Sequence, residues 1–191
     1  MANEPIKQST LKKKKKKWVS IYGTKDFKDA NLGESYVSDS NMLMNKHLEV
    51  NLMELTNDIK KQNIKVRFKI TSISENRAMA EFIGYELAGS LIRRVVKRAR
   101  SKIDDSFEVE TKDNVKVRIK PIVLTKTLGP HSILTLLRSM IREFIIAHFK
   151  KFTFDELIHQ LINIEIQRAL KDNLKKIYPI SVVEVRYLRK L

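Results

Sequence analysis

The sequence predicts an α+β protein in which a strand-rich middle is followed by helices and a final strand. Three observations support this class. Apolar and charged residues alternate between residues 48 and 120, as in half-buried strands. Between residues 133 and 166 the apolar residues instead recur every three or four positions, as on the buried face of a helix. Alternation returns after residue 179, and such segregation of strands from helices is typical of the α+β class.

The first seventeen residues are expected to form a disordered basic arm. Residues 12–17 are six consecutive lysines, and like charges at this density repel one another until a partner neutralises them. With Lys7, the first twenty residues hold seven lysines against the single acid Glu4. Order is expected to begin near Trp18, the only tryptophan of the chain. We therefore predict one α+β domain over residues 18–191.

Four stretches in the middle of the chain have the alternation of strands. Residues 48–52 form one candidate, and residues 64–71 form a clearer one with a cationic outer face. A turn at residues 75–76 leads into residues 78–83, the expected hairpin partner. Residues 115–120 alternate in the same way until Pro121, where the strand is expected to stop. These strands predict a sheet that is either barrel-like or mixed.

A basic helix is predicted over residues 90–100. One stripe of this helix is apolar at helical spacing: Leu91, Ile92, Val95, Val96 and Ala99. Residues 89–102 contain six basic residues and no acid. The helix is therefore expected to bury its apolar stripe in the core and to present cations elsewhere. A carboxylate at either valine would then enter the core unpaired and prevent folding.

Two further helices and a strand are predicted near the C-terminal end. Apolar residues from Ile133 to Ile145 mark a long helix. Thr153 and Glu156 have the spacing of a capping box, and the apolar positions between residues 157 and 166 mark the next helix. Pro179 then favours extended chain, and residues 183–187 alternate as the final strand.

The charge of the chain indicates a polyanionic partner. The formal net charge is +16, and most of the excess lies in residues 1–20 and 89–102. A face that is merely solvated usually mixes both signs, whereas residues 89–102 do not, and their arginines can make forked contacts with phosphate groups. The lysine run is less specific, because nuclear targeting or attraction to anionic lipid would use the same composition.

Catalytic and metal-binding patterns are poorly supported. The five glycines are isolated, which excludes a phosphate-cradling loop and a dinucleotide fingerprint. The four histidines lack ligand spacing and the chain has no cysteine, so we expect no metal and no cofactor. Asp104 and Asp105 are interpreted as a polar turn, because adjacent side chains usually point apart. We also expect no secretory signal and no membrane-spanning segment.

Several stretches, taken in order, carry a resemblance to a known family. They are KWVSIYGTKDF with LGE at residues 32–34, LTND followed by KVRFKI, GYEL leading into LIRRVVKRARSKIDD, VETKDNVKVRIKPI, LLRSMIREFI, FTFDELI and KKIYPISVVEV. From Trp18 onward the chain resembles the archaeal and eukaryotic small-subunit ribosomal protein family called eS-one. Its length, with little beyond the predicted final strand, is more similar to the archaeal members.

The chain departs from this family at a few positions. The family usually has His, Thr, Arg and Asp at the positions of Tyr85, Ala88, Gly89 and Ser90, and Gly at the positions of Asn114 and Ile164. The first four changes affect the start of the basic helix, where glycine costs about 1 kcal/mol relative to alanine. Asparagine at residue 114 is still able to adopt a left-handed backbone conformation.

The resemblance implies a structural constituent of the small ribosomal subunit, not an enzyme. It implies a cytoplasmic place on the platform of that subunit, near the messenger exit side and the 3′ end of the small-subunit RNA. The expected partners are small-subunit ribosomal RNA and neighbouring platform proteins, with messenger RNA nearby and no membrane. The alternatives are a free RNA-binding regulator, which would usually expose aromatic residues on its strands, and an RNA-processing factor, which would need an acid–base constellation.

We predict that the RNA is bound by the arm, the basic helix and the cationic strand face. The predicted contact residues are Lys12, Lys13, Lys14, Lys15, Lys16, Lys17, Trp18, Arg93, Arg94, Lys97, Arg98, Arg100, Lys102, Lys116, Arg118 and Lys120. The lysine run is expected to follow the RNA backbone. Trp18 is expected either to fix the base of the arm against the domain or to stack on a nucleobase.

Overall fold

Nine strands form one mixed sheet in the part of the chain that the computed structural model describes, residues 15–24, 27, 30–74 and 77–191. The strands are β1 (Lys17–Gly23), β2 (Asn31–Val37), β3 (His47–Asn51), β4 (Ile64–Ser74), β5 (Arg77–Leu87), β6 (Lys102–Asp104), β7 (Phe107–Glu110), β8 (Lys116–Thr125) and β9 (Ile180–Lys190). The helices are α1 (Leu52–Thr56), α2 (Gly89–Val95), α3 (His131–Phe149), α4 (Phe154–Ile162) and α5 (Glu165–Leu174). The predicted α+β class is confirmed, and the sheet is mixed and open.

Two long strands organise the sheet, because each has two successive neighbours along one of its edges. The main order is β2-β1-β5-β9-β8-β6. Strand β5 pairs with β4 along one edge, while its other edge pairs first with β1 in parallel and then with β9 in antiparallel orientation. Strand β8 pairs with β9 along one edge and with β7 and then β6 along the other. Strand β3 extends the sheet beyond β4.

The strands predicted from alternation are confirmed, with corrections at two boundaries. Strand β3 ends at Asn51, because Leu52 begins α1. Ile64, Val66, Phe68 and Ile70 of β4 are buried, and β5 is its hairpin partner. The predicted stop at Pro121 is wrong, because β8 continues to Thr125. The pairing of β8 with β9 shifts by one residue between Lys120 and Pro121, and such a bulge accommodates a proline that has no N–H to donate.

Helices α3, α4 and α5 form the core together with the sheet. The long helix α3 buries Leu137, Ile141 and Ile145, as its periodicity predicted. The capping box of α4 is confirmed, since the backbone N–H of Glu156 donates to Thr153 Oγ1 and the backbone N–H of Thr153 donates to Glu156 Oε2. Helix α5 packs on β9, α3 packs on β7, and α4 packs on α5.

The last predicted helix is in fact two helices that meet at Ile164. This residue has a φ of 63°, in the left-handed region, where the helical ladder cannot continue. Asn114, in the turn before β8, has a φ of 58°. Both are positions at which the resembling family usually has glycine, which adopts such φ values without a steric penalty. The apolar spacing continues across the junction, so periodicity could not reveal it.

Replacement of Ile164 by Gly is expected to stabilise the protein by about 1 kcal/mol, since a β-branched residue is strained in the left-handed region. The free energy of unfolding can be measured by urea denaturation. Ile164→Ala is the matched control, because it removes the same half-buried side chain but keeps a Cβ atom. If the Gly variant were no more stable than the Ala variant, the left-handed backbone at Ile164 would not be strained and the prediction would be wrong.

The basic helix exists, but its predicted extent to residue 100 is wrong. Helix α2 ends at Val95, and Val96 is extended and 37% exposed. Two consecutive β-branched residues weaken the helix at this point. The chain must then turn, because Ser101 bonds to Thr125 on β8 just before β6 begins. Val96 and Ala99 are therefore exposed, so the prediction that a carboxylate at Val96 would enter the core is wrong.

A candidate nucleic-acid interface

Five cations lie on α2 and the turn that follows it, and we call this cluster the basic turn. Its members are Arg93, Arg94, Lys97, Arg98 and Arg100. Arg100 is half-buried and the other four side chains are exposed. Among the residues that the structure describes, none of the five forms an ion pair with an acid. Their charges therefore remain available to a ligand.

Hydrogen bonds at both ends hold the basic turn in place. Before α2, the backbone N–H of Ala88 donates to the carbonyl of Asn63, at 2.7 Å. After the turn, the backbone N–H of Ser101 donates to Thr125 Oγ1 at 2.9 Å, and the N–H of Thr125 donates to the carbonyl of Ser101. The cluster is thus a fixed surface on the sheet and not part of a long free loop.

The apolar side of α2 faces the sheet across a groove of about 240 Å³. Leu91, Ile92 and Val95 line one side of this groove, and Ile122 and Leu124 of β8 line the other. The predicted separation of apolar and cationic sides therefore holds within the observed helix, although α2 buries no residue completely.

One acid, Glu184 of β9, also lines the groove beneath α2. Burial raises the pKa of Glu184, and the charge of Lys171 partly offsets this effect. Among the described residues, Glu184 forms no ion pair with a cation of the basic turn.

The predicted cations on the strands differ from the basic turn, because acids or rings accompany them. Lys116 lies 3.6 Å from Glu110, and Arg118 bonds to Glu108; both acids lie on β7, directly across the ladder. Lys102 lies 3.5 Å from Asp104, and the Lys120 ammonium lies 4.9 Å from the centre of the Tyr187 ring. RNA binding by these four residues stays a prediction. Acids already neutralise part of the charge of Lys102, Lys116 and Arg118.

The two adjacent acids of the sequence point in different directions, as expected of a polar turn. Asp104 accepts a hydrogen bond from Arg186 of β9 at 2.7 Å. Asp105 accepts two from Arg142 of α3, and this bonding lowers the pKa of Asp105. The two carboxylates thus tie β6 to different elements and do not form an acid–base pair.

An exposed pair of aromatic rings lies where the lysine run meets the sheet. Trp18 of β1 is 63% exposed and Tyr36 of β2 is 51% exposed. The two residues face each other across the ladder, with ring centres 4.9 Å apart and planes tilted by 39°. The ammonium of Lys16 lies 5.7 Å from the centre of the Tyr36 ring. We call Trp18 and Tyr36 the aromatic pair.

Sequence reasoning found Trp18 but missed Tyr36. Of the predicted lysines, Lys15, Lys16 and Lys17 are described and exposed, whereas Lys12, Lys13 and Lys14 lie outside the described residues, as does most of the predicted arm. The position of Tyr36 depends on the pairing of β1 with β2, which no local pattern specifies. The alternation of Leu32, Tyr36 and Val37 is too irregular to have revealed a strand.

The sequence pattern that defines the Ribosomal S3Ae family matches residues 6–191. The chain belongs to this family. It is 34% identical to "Small ribosomal subunit protein eS1" of Desulfurococcus amylolyticus, over 90% of this chain and 81% of that protein. For the protein of the same name from Methanobrevibacter smithii, the identity is 32% over 90% of this chain and 89% of the relative. For that of Nanoarchaeum equitans, it is 33% over 87% and 84%.

These comparisons confirm the archaeal-like resemblance that the ordered motifs carried. The prediction that the chain is not an enzyme is also confirmed, since the S3Ae relatives are named as ribosomal proteins. No helix in the described part of the chain has the length and apolar character needed to cross a membrane.

One of the departures from the resembling family lies at the start of α2. Ala88 occupies the N-cap position of this helix and makes no side-chain capping bond there. The threonine that is usual in the family would accept a hydrogen bond from a free backbone N–H of the first turn. Tyr85, where the family usually has histidine, is buried in the core, and burial raises the pKa of its hydroxyl. This chain therefore supports its basic turn with an uncapped helix.

Proposed function

We propose that this chain is a structural constituent of the small ribosomal subunit that binds ribosomal RNA through the basic turn and the lysine run. Its family membership makes it a ribosomal protein of the small subunit, acting in the cytoplasm on the ribosome. The observation that carries the RNA proposal is the basic turn. It is a fixed surface of four exposed cations and the half-buried Arg100, and none of the five forms an ion pair with an acid among the described residues.

The chemistry of the basic turn suits RNA phosphates. Four of its five members are arginines, whose planar guanidinium groups bind phosphate oxygens through two parallel hydrogen bonds. Lysines and arginines bound to phosphates release condensed counterions, which supplies affinity without sequence preference. We therefore infer that the chain recognises the shape and backbone of folded RNA and makes few contacts that read base sequence.

The finer placement follows from the resemblance. We propose a position on the platform of the small subunit, near the messenger exit side and the 3′ end of its RNA, beside other platform proteins and close to messenger RNA. Residues 1–17 would serve as an RNA-binding arm and residues 18–191 as one domain. A free RNA-binding regulator is the alternative that the aromatic pair favours, because such regulators commonly expose aromatic residues on strands.

Sedimentation of a cell extract tests the proposal. The chain is expected to sediment with small subunits and to stay there after a high-salt wash, because a protein built into folded RNA is held by many contacts at once. The subunits are separated on a density gradient and the chain is detected by an affinity tag. A chain found wholly in the free fraction would contradict the ribosomal role and support a free RNA-binding regulator or a processing factor.

A further inference from the structure

We propose that the aromatic pair of Trp18 and Tyr36 stacks an unpaired nucleobase of the bound RNA. This inference rests on the proposed function, which supplies RNA as the partner, and adds the feature of the RNA that is recognised. The class of ligand is an RNA segment with at least one base outside a duplex, such as a bulge, a loop or a single strand.

The exposure of the aromatic pair is the first observation. Both rings are more than half exposed, and every other described aromatic side chain is buried or half-buried. The two most exposed aromatic rings of the described residues are therefore in contact with each other. Rings of this size usually bury most of their surface, so two that share one exposed site indicate a surface that a ligand covers.

Strand pairing holds the rings in place, so little conformational entropy of the two side chains would be lost when a ligand binds. Trp18 and Tyr36 are direct partners in the antiparallel ladder. The next residues, Val19 and Val37, point to the opposite face and are buried there. Side chains on a strand alternate between faces, so neither ring can turn into the core without breaking the register of both strands. The rings thus form a preformed surface.

The neighbouring charge identifies the ligand as a nucleic acid. Lys15 and Lys16 precede Trp18, and Lys16 lies over the Tyr36 ring. A ligand that fits both features must carry anionic groups and flat faces, which is what a nucleotide offers. Bases within a duplex hide their faces against one another, so only an unpaired base can stack on protein rings. The two features therefore point to single-stranded or bulged RNA.

Tryptophan fluorescence can test this proposal directly, because Trp18 is the only tryptophan of the chain. The whole chain is titrated with a short single-stranded RNA, with a blunt RNA duplex, and with an abasic oligomer that has the same number of phosphates. We expect the single-stranded RNA to quench the fluorescence strongly, and the duplex and the abasic oligomer to quench it little. Equal quenching by the abasic oligomer would mean that charge alone acts at this site, and would overturn the proposal.

Two variants separate stacking from apolar contact. Trp18→Leu keeps an apolar side chain but removes the π face, and it is expected to lower the affinity for single-stranded RNA roughly tenfold with no change in salt dependence. Tyr36→Ala is expected to act in the same direction. Met42→Ala is the matched control, because Met42 is 61% exposed and lies outside the pair. Unchanged affinity in Trp18→Leu would overturn the proposal.

The outcomes also distinguish this inference from the proposed function. One outcome is that labelled structured RNA binds with strong salt dependence, but single-stranded RNA does not quench the tryptophan fluorescence and Trp18→Leu keeps the original affinity. In that case only the stacking site is wrong. If no RNA binds, the proposed function fails with it.

Vesicles of phosphatidylserine and phosphatidylcholine are the remaining probe, since an anionic bilayer also attracts tryptophan beside lysine. A blue shift of the tryptophan emission with vesicles, without quenching by RNA, would overturn the proposal in favour of a membrane surface.

Discussion

Changing Arg93, Arg94, Lys97 and Arg98 together to Gln is expected to lower the affinity for structured RNA by roughly 100-fold or more near 0.1 M salt. The reason is that each lost phosphate contact removes a slope of roughly 0.7 to 0.9 in log affinity against log salt. The salt slope is therefore expected to fall by roughly 3, as measured by fluorescence anisotropy of labelled RNA over a range of salt. Incorporation into small subunits is expected to fall with it.

The thermal stability of this variant is expected to change little. The four side chains are exposed, and none of them forms an ion pair with an acid among the described residues. The matched control changes Lys65, Arg67, Arg142 and Lys175 to Gln. It removes the same charge, but each of these cations lies next to an acid in the structure and none is a predicted RNA contact. An equal loss of affinity in the control would show that net charge and not the basic turn determines binding.

Replacement of Gly84 by Ala is expected to destabilise the fold by about 1–3 kcal/mol, the usual cost of an extra carbon atom in a packed site. A Cβ atom at Gly84 would lie 2.8 Å from the carbonyl oxygen of Leu188. This atom belongs to the backbone of β9, so no side-chain rotation can relieve the contact. Because β5 pairs with both β4 and β9 at Gly84, the clash would separate the two halves of the sheet.

Gly89→Ala is the matched control for this prediction. Gly89 opens α2 in the same stretch of chain, and a Cβ atom there would meet nothing within 4 Å. Its φ is not positive, so alanine is expected to stabilise the protein by about 0.4–1 kcal/mol. Both variants are compared by thermal and urea unfolding. A Gly84→Ala variant as stable as Gly89→Ala would show that β9 moves away at little cost.

The sequence alone determined the elements whose periodicity is long and regular. Strand β4 and helix α3 each repeat an apolar residue at one fixed spacing, and burial of that face is the dominant favourable term in folding. The capping box at Thr153 was likewise local, since both of its hydrogen bonds join residues three positions apart. The basic segment could also be identified from the sequence. Six cations without an acid are a property of the local composition and do not depend on tertiary contacts.

Only the tertiary structure decided which charges are available and which rings meet. Arg118 and Arg94 look equivalent in the sequence, yet strand pairing sets Arg118 against Glu108 while the turn after α2 leaves Arg94 unpaired among the described residues. Tyr36 meets Trp18 because β2 pairs with β1 in one register. Such pairings join residues that are distant in the chain, and the free energy that selects them comes from the whole sheet. No single stretch of sequence contains it.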